Sequence, residues 1–301
     1  MTSQAMEFEQ RESWRQRKSN ESMLFGTIDK VLHNPQGIIA VGGLLLLILA
    51  AVFAGVITQD DPLRGTASGR LLSPSWAHPF GTDELRRDLF ARTLYGLRTS
   101  LAVSIFAVGA GSAAGIAIGF VSGYAAGWTE RIAMRIVDAL LAFPGLLTAL
   151  AILTILGPGS RNVAIAIAIF NVPAFARLAR SQMLIEKNKD YVFASQSLGA
   201  RPLRVIFSHI SRNAIPPLLT QVSLAMAAAV VISASLSYLG LGERPPEPSL
   251  GGLLNSSRGY LRSAWWYALG PGAMLAFLLL CLNFLADAVN EATSPYAKRR
   301  L

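Results

Sequence analysis

Charge is what this sequence has least of. Only 15% of its 301 residues are charged, against roughly 25% in an average soluble domain. The deficit is concentrated: the windows 37–58, 100–124, 216–241 and 266–286 contain no Lys, Arg, Asp or Glu. At about 1.5 Å of rise per residue, each is long enough to cross a hydrocarbon core about 30 Å thick, which excludes an ordinary soluble domain. Cysteine is nearly missing. Cys281 stands alone inside the last apolar window, so it forms no intrachain disulfide and reads as a small core residue. The histidines, His33, His78 and His209, fall on a tail, a loop and a polar insert, too scattered in sequence for metal ligands. No Gly-rich loop is followed by Lys and Ser or Thr, so the chain lacks the Walker-type phosphate cradle. No catalytic set gathers at one membrane face and no internal repeat is visible. The expectation is a chain that is not an enzyme and carries no cofactor and no metal.

What is present is oil, arranged in blocks. Two further apolar stretches join the four clean windows. Stretch 136–156 has Asp138 near one edge and a kink expected at Pro144 and Gly145, and stretch 162–182 is interrupted by Pro173 and ends in Arg177 and Arg180. Together they predict an all-α, polytopic membrane protein with six transmembrane helices. The first span begins some way behind the start, too far for a signal peptide's short basic lead, and reads as a retained anchor. The net charge of +9 resembles a nucleic-acid footprint until its distribution is considered. With six spans, most basic residues, including Arg11, Lys18, Arg131, Arg135, Arg204, Arg212 and Lys298, fall on one side. That is the topology signal of a membrane protein with both termini in the cytoplasm, not a nucleic-acid binder.

Span two carries Gly111, Gly115, Gly119 and Gly123 in a strict one-in-four repeat. Such a face lets another helix approach closely, and it predicts helix packing within a bundle. Before it lies an external stretch whose end, 85–101, has apolar residues at helical spacing and predicts an interfacial helix leading into span two. Asp138 and Asp287 both fall near helix ends. Asp138 is expected to pair with Arg131 or Arg135 rather than to relay ions at mid-membrane depth. Trp265, Trp266 and Tyr267 are expected to anchor span six at the interface.

The most informative segment is the polar, basic insert 177–213 between spans four and five. Asp190 is placed to cap a short helix, Tyr191, Ala194, Ser195 and Leu198 repeat at helical spacing, and Gly199 followed by Pro202 is a stop signal. A second helix over 202–212, with Leu203, Ile206, Phe207 and Ile210 on one face, is expected to lie in the interface before Pro216 and Pro217 open span five. Two turns of helix are not stable alone. A short amphipathic helix projecting into the cytoplasm therefore calls for a partner surface.

At this point the residues reach a resemblance. Tyr191, Val192, Phe193, Ala194, Leu198, Gly199 and Ala200, followed by Ile206, His209, Asn213 and Pro216, resemble the cytoplasmic coupling motif of bacterial ABC importer permeases. The run His78, Pro79, Phe80, Gly81, Thr82 and Asp83, then Arg87 and Asp88, is similar to the dipeptide, oligopeptide and nickel permease family, C-type (second permease) subunit. So are Tyr95 with Gly96, Met134 to Asp138, Ser235 to Gly242, and Asn283 with Asp287. The likeness spans roughly 30–296, and motifs in the right order are what carry it. Departures are local: Phe193 replaces the acidic residue of the coupling motif, Ser195 its second Ala, Arg86 an external Gly, Arg212 a Pro and Ala286 a Gly.

The resemblance implies the ABC type I importer permease fold and a place in the bacterial cytoplasmic (inner) membrane. It implies a heterodimer with a sister permease subunit, two ABC ATPase subunits and an external solute-binding protein, with peptides as the first cargo expected and nickel, glutathione or another small solute as the alternatives. Tyr191, Phe193 and Leu198 would anchor the coupling helix in a cleft of the ATPase, and Gly199 and Ala200 would let the chain turn at the joint. A mate for the glycine face of span two is expected from the sister subunit. The expected organisation is a cytoplasmic tail at 1–36, a first transmembrane helix at 37–58 and an external loop with interfacial helix at 59–97. A permease domain follows at 98–287, with the coupling helix at 190–200, and then a cytoplasmic tail at 288–301. A self-contained ion-coupled carrier or channel is the alternative from another class.

Overall fold

The computed structural model describes residue 26 and residues 28–65, 69–201 and 204–293. Most of both expected tails lies outside these residues, as do Pro202 and Leu203 and the side chains of Phe207 and His209. The regular structure among the described residues is helical, apart from one isolated bridge between Thr82 and Asp88. In chain order the helices are α1 (Pro35–Val52), α2 (Ala54–Ile57), α3 (Leu89–Ala125), α4 (Gly127–Leu141), α5 (Gly145–Leu156), α6 (Ser160–Lys187) and α7 (Asp190–Ser197). A π-helical stretch (Val205–Ile210) leads into α8 (Ser211–Tyr238), and α9 (Leu250–Ser257) and α10 (Trp266–Thr293) complete the order. Five of them, α1, α3, α6, α8 and α10, are long and apolar enough to cross a membrane, or six spans if α4 and α5 count as one bent pair.

That pair differs from the kinked span read in the sequence. Its two halves are bent by 93°. Pro144 lacks the amide that would continue the ladder, and it takes an extended ψ of 132° just before α5. α4 carries Glu130, Arg131, Arg135 and Asp138, while α5 has only 12 residues, about 18 Å of helix against a core of about 30 Å.

The expected interfacial helix is not a separate element either. Residues 85–88 lie in a turn, and Asp88 caps a continuous helix of 37 residues by accepting from the Ala91 amide. Nothing interrupts this helix until Ala126 and Gly127, both at positive φ (55° and 63°), turn the chain sharply into α4. It therefore runs through the boundary expected near residue 98.

The glycine face of α3 finds its mate within the chain, which corrects the expectation that a second subunit supplies it. A Cβ placed on Gly111 would lie 2.6 Å from the Ala168 carbonyl oxygen, one on Gly115 2.6 Å from the Val172 oxygen, and one on Gly123 2.9 Å from Met183 Cβ. Gly119 faces Ala176 and Ala179 of the same helix. α3 and α6 thus touch backbone to backbone over four turns, the contact that stabilises helices where lipid supplies no hydrophobic drive between them. Pro173 sits inside α6 without ending it. Phe175, Ala179 and Met183 of α6 then join Val192, Val205, Ile206, Ile210 and Ala214 in one buried core that reaches down into the insert. A second core joins α1 to α10, where Leu47 and Ala51 pack with Leu278, Cys281 and Leu282.

Candidate functional site

The insert is built from the end of α6, the short α7 and the start of α8. α7 does not begin as expected: Lys189 holds the N-cap position with no side-chain cap bond, and Asp190 is the first helical residue. Asp190 still contributes its charge to the helix's first turn. The other end is closed by two backbone bonds. The Gly199 amide donates to the Gln196 oxygen (2.9 Å) and the Ala200 amide to the Ser195 oxygen (3.1 Å), the paired pattern of a Schellman cap, with Gly199 at φ 81°. Of the expected interfacial helix over 202–212, residues 202 and 203 lie outside the described residues, and the described part is not a separate element: 205–210 form a π-helical stretch that continues without a break into α8. Pro216 and Pro217 accordingly lie within α8, near its start.

The seven residues of the expected coupling helix divide between two faces. Val192 is fully buried in the core with Ile206 and Ile210, and Tyr191 and Ala200 pack partly against it. Phe193 is 54% exposed and Leu198 89% exposed, with Ala194 and Gly199 exposed beside them. Of the three expected anchors, then, Phe193 and Leu198 point outward. Tyr191 instead turns toward its own chain, because a carboxylate there accepts its hydroxyl.

That carboxylate is Glu186, in the last turn of α6 and only 4% exposed. Its Oε1 accepts from Lys189 Nζ (2.6 Å), and its Oε2 accepts from the Tyr191 hydroxyl (2.6 Å) and from Asn213 Nδ2 (3.2 Å). Asn213 Nδ2 also donates to the Tyr191 oxygen at 3.1 Å. Burial and the neighbouring Glu186 push the Tyr191 phenol up to about 12. Further ion pairs tie α6 to α4. Arg177 donates to Asp138 at 2.8 Å, and Arg180 pairs with Glu130. Asp138 thus pairs across helices, not with Arg131 or Arg135 on its own helix as the sequence suggested. Lys187 reaches the Tyr124 carbonyl at 2.8 Å and lies over its ring, fixing the end of α6 to that of α3.

At the opposite end of the molecule, the run from His78 to Asp88 forms a closed hydrogen-bonded turn. Asp83 Oδ1 accepts from the amides of Leu85 and Arg87, and Oδ2 accepts from Arg87 Nε at 2.6 Å. Thr82 bridges from the Leu72 amide to the Gly69 oxygen. Arg92 Nη1 donates to the Pro62 oxygen at 2.6 Å. Arg86 takes φ 66°, a backbone conformation that disfavours a Cβ. His78, Asp60 and Asp88 come within 4.8 Å of one another through their ligand-type atoms, a grouping that histidine spacing alone did not reveal. Asp88 already has two partners: its Oδ1 lies 2.9 Å from His78 Nδ1 and its Oδ2 caps α3.

These features define a polytopic membrane protein with a helical bundle, a small polar insert that exposes two large apolar side chains, and a tightly braced turn at the other end. Residues 115–299 match the family of binding-protein-dependent transport system inner membrane components. The chain is 38% identical over 263 residues to the dipeptide transport system permease protein DppC of Alkalihalophilus pseudofirmus, covering 86% of each chain. It is 41% identical over 262 residues to the glutathione transport system permease protein GsiD of Salmonella typhimurium, covering 87% of this chain and 86% of that one. In fold it is similar to a chain of the MetNI methionine ABC transporter solved in inward-facing conformations, with a TM-score of 0.55 at 18% identity over 67% of this chain and 96% of that chain. The chain belongs to the binding-protein-dependent transport system inner membrane component family.

Proposed function

We propose that this chain is the transmembrane permease subunit of an ATP-driven importer of short peptides, forming half of the translocation pathway, and that α7 is the element through which separate ATPase subunits act on it. The observation that carries the coupling reading is the split of α7: Val192 is buried within the chain while Phe193 and Leu198 are exposed. An eight-residue helix held from beneath has no use of its own for two outward apolar side chains, and burying them in a partner's cleft is favourable. Phe193 replaces the acidic residue of the resembled motif, so this contact is apolar rather than ionic.

The relatives support the rest of the proposed assembly. Their names attach to dipeptides, di- and tripeptides and glutathione, which supports a short peptide as cargo. Two ATPase subunits, an external solute-binding protein and a sister permease complete the proposed transporter. An apolar groove of about 500 Å³ between α3 and α8, lined by Phe120, Val121, Ile206, Ile215 and Leu218, supports a second membrane subunit now that the glycine face is filled by α6. The basic residues around the insert support a cytoplasmic location for it and for both termini. Segment 190–200 then serves as the coupling helix of a permease domain at 98–287, and the stretches 59–97 and 240–264 face the solute-binding protein.

The reading is tested by reconstituting the chain in proteoliposomes with and without its partners. Peptide uptake is expected only with the ATPases, the sister subunit, the binding protein and ATP present. Uptake by this chain alone, driven by an ion gradient, would install the carrier reading in its place.

A further inference from the structure

We infer that Glu186 is a positioning residue for transport, the tie that makes the short helix α7 move as one body with α6 and α8. The inference rests on the coupling reading above and adds to it the residue through which displacement is passed into the membrane.

The backbone alone makes a loose joint here. Only residues 188 and 189 separate α6 from α7, and Lys189 caps α7 with no side-chain bond. At the other end, α7 closes at Ser197 and its Gly199 cap, and the next described helical residue is Arg204. An apolar contact such as that of Val192 resists separation but has no preferred direction. Hydrogen bonds to a charged acceptor do have one, and they strengthen where water is excluded. The buried Glu186 carboxylate takes such bonds from three places at once: Lys189 before α7, Tyr191 in its first turn, and Asn213 in the first turn of α8. The Asn213 to Tyr191 bond closes the triangle. Glu186 itself belongs to α6, the helix that packs along the whole glycine face of α3. A load applied at Phe193 or Leu198 therefore reaches α6 and α8 together, through bonds that fix angle as well as distance.

The consequence is a separation of two quantities. Without the tie, ATP hydrolysis proceeds but α7 pivots, so less of each stroke reaches the membrane helices. The test uses the complete transporter in proteoliposomes and measures peptide imported per ATP hydrolysed in E186A, Y191F and the double variant, each normalised to assembled complex. In E186A the ratio is expected to fall by about tenfold or more, the lower end of what one of the three lost charge-assisted bonds contributes. Y191F, which removes one hydroxyl and keeps the ring, is expected to lower the ratio in the same direction. The double variant is expected to match E186A, because both changes break one connected network. An unchanged ratio in E186A and Y191F, with uptake falling only as assembled complex falls, would overturn the inference. If E186A does not assemble, Y191F decides the matter by the same ratio. Failure of the underlying reading looks different: Leu198 of the unmodified transporter would then touch no ATPase subunit, whatever the ratio in the variants.

Discussion

Replacing Leu198 with Ala separates docking from folding. Leu198 is 89% exposed, so the permease itself gains almost nothing from the side chain. The change removes three carbon groups at about 0.8 kcal/mol each, and scaling by the exposed fraction available for burial leaves about 2 kcal/mol of lost contact with a partner. That is a weakening of about thirtyfold. Phe193, 54% exposed, has about half its ring left for a partner, and F193A is expected to weaken docking by about tenfold. Val192→Ala supplies the contrast, because Val192 is fully buried: deleting two buried carbons costs about 1.5 kcal/mol, which appears in the thermal stability of the permease. The assay is a titration of the ATPase subunits onto permease held in lipid nanodiscs, paired with thermal unfolding of the same samples. A binding curve for L198A within about twofold of the unmodified chain, less than 0.5 kcal/mol, would refute the assignment of this side chain to the interface.

Three other perturbations address the parts that hold the site in place. Gly115→Leu would set a Cβ 2.6 Å from both Phe175 Cβ and the Val172 oxygen. Forcing α3 from α6 is expected to cost about 3 kcal/mol or more, seen as a lower Tm in detergent, and an unchanged Tm would contradict the packing described. Arg86→Gly removes the Cβ from a residue at φ 66° and is expected to stabilise the His78–Asp88 turn by about 0.5 kcal/mol after the added chain entropy is offset, measured by the same unfolding. A lower Tm in that variant would show that the arginine side chain outweighs the backbone strain. The Tyr191 phenol, raised from 10.0 to about 12, is favoured in its neutral form by the folded insert. Its contribution to stability is thus complete below pH 10 and lost as pH rises through about 12. The difference in tyrosinate absorbance between the unmodified chain and Y191F should appear near the higher value, and a midpoint at 10 would deny the contact with Glu186.

Much of this architecture was legible because the bilayer imposes simple rules. Windows without charge marked the spans, and the one-in-four glycines marked a face of close approach. What the sequence left open was the identity of partners in space. The glycine face suggested another subunit, yet α6 of the same chain fills it, since a small-residue stripe specifies how near a helix comes and not which one. Pro144 signalled a kink, but only the short, charge-rich α4 beside it explains a bend of 93°. Residues 85–88 looked helical by periodicity and are instead a turn, because Asp83 gathers the Leu85 and Arg87 amides and Asp88 caps the helix after it. The resemblance placed Tyr191 among the anchors for a partner, whereas Glu186 and Asn213 draw its hydroxyl inward. Glu186 went unnoticed in the sequence. A lone Glu in the last turn of a span, followed by a basic residue, looks like an ordinary solvated end, and its convergence with Asn213 depends on folding across 27 residues of separation.

The account depends most on where α7 sits and what it touches, and the chain's single cysteine makes that directly measurable. Cys281 is buried between α1 and α10, so a Cys281→Ala background carrying L198C would present one accessible thiol. Treated in native membranes with a short bifunctional cross-linker, that thiol is expected to join the permease to an ATPase subunit and to resist impermeant thiol reagents added from outside the cell. Labelling from outside, with no cross-link to any nucleotide-hydrolysing subunit, would contradict the account.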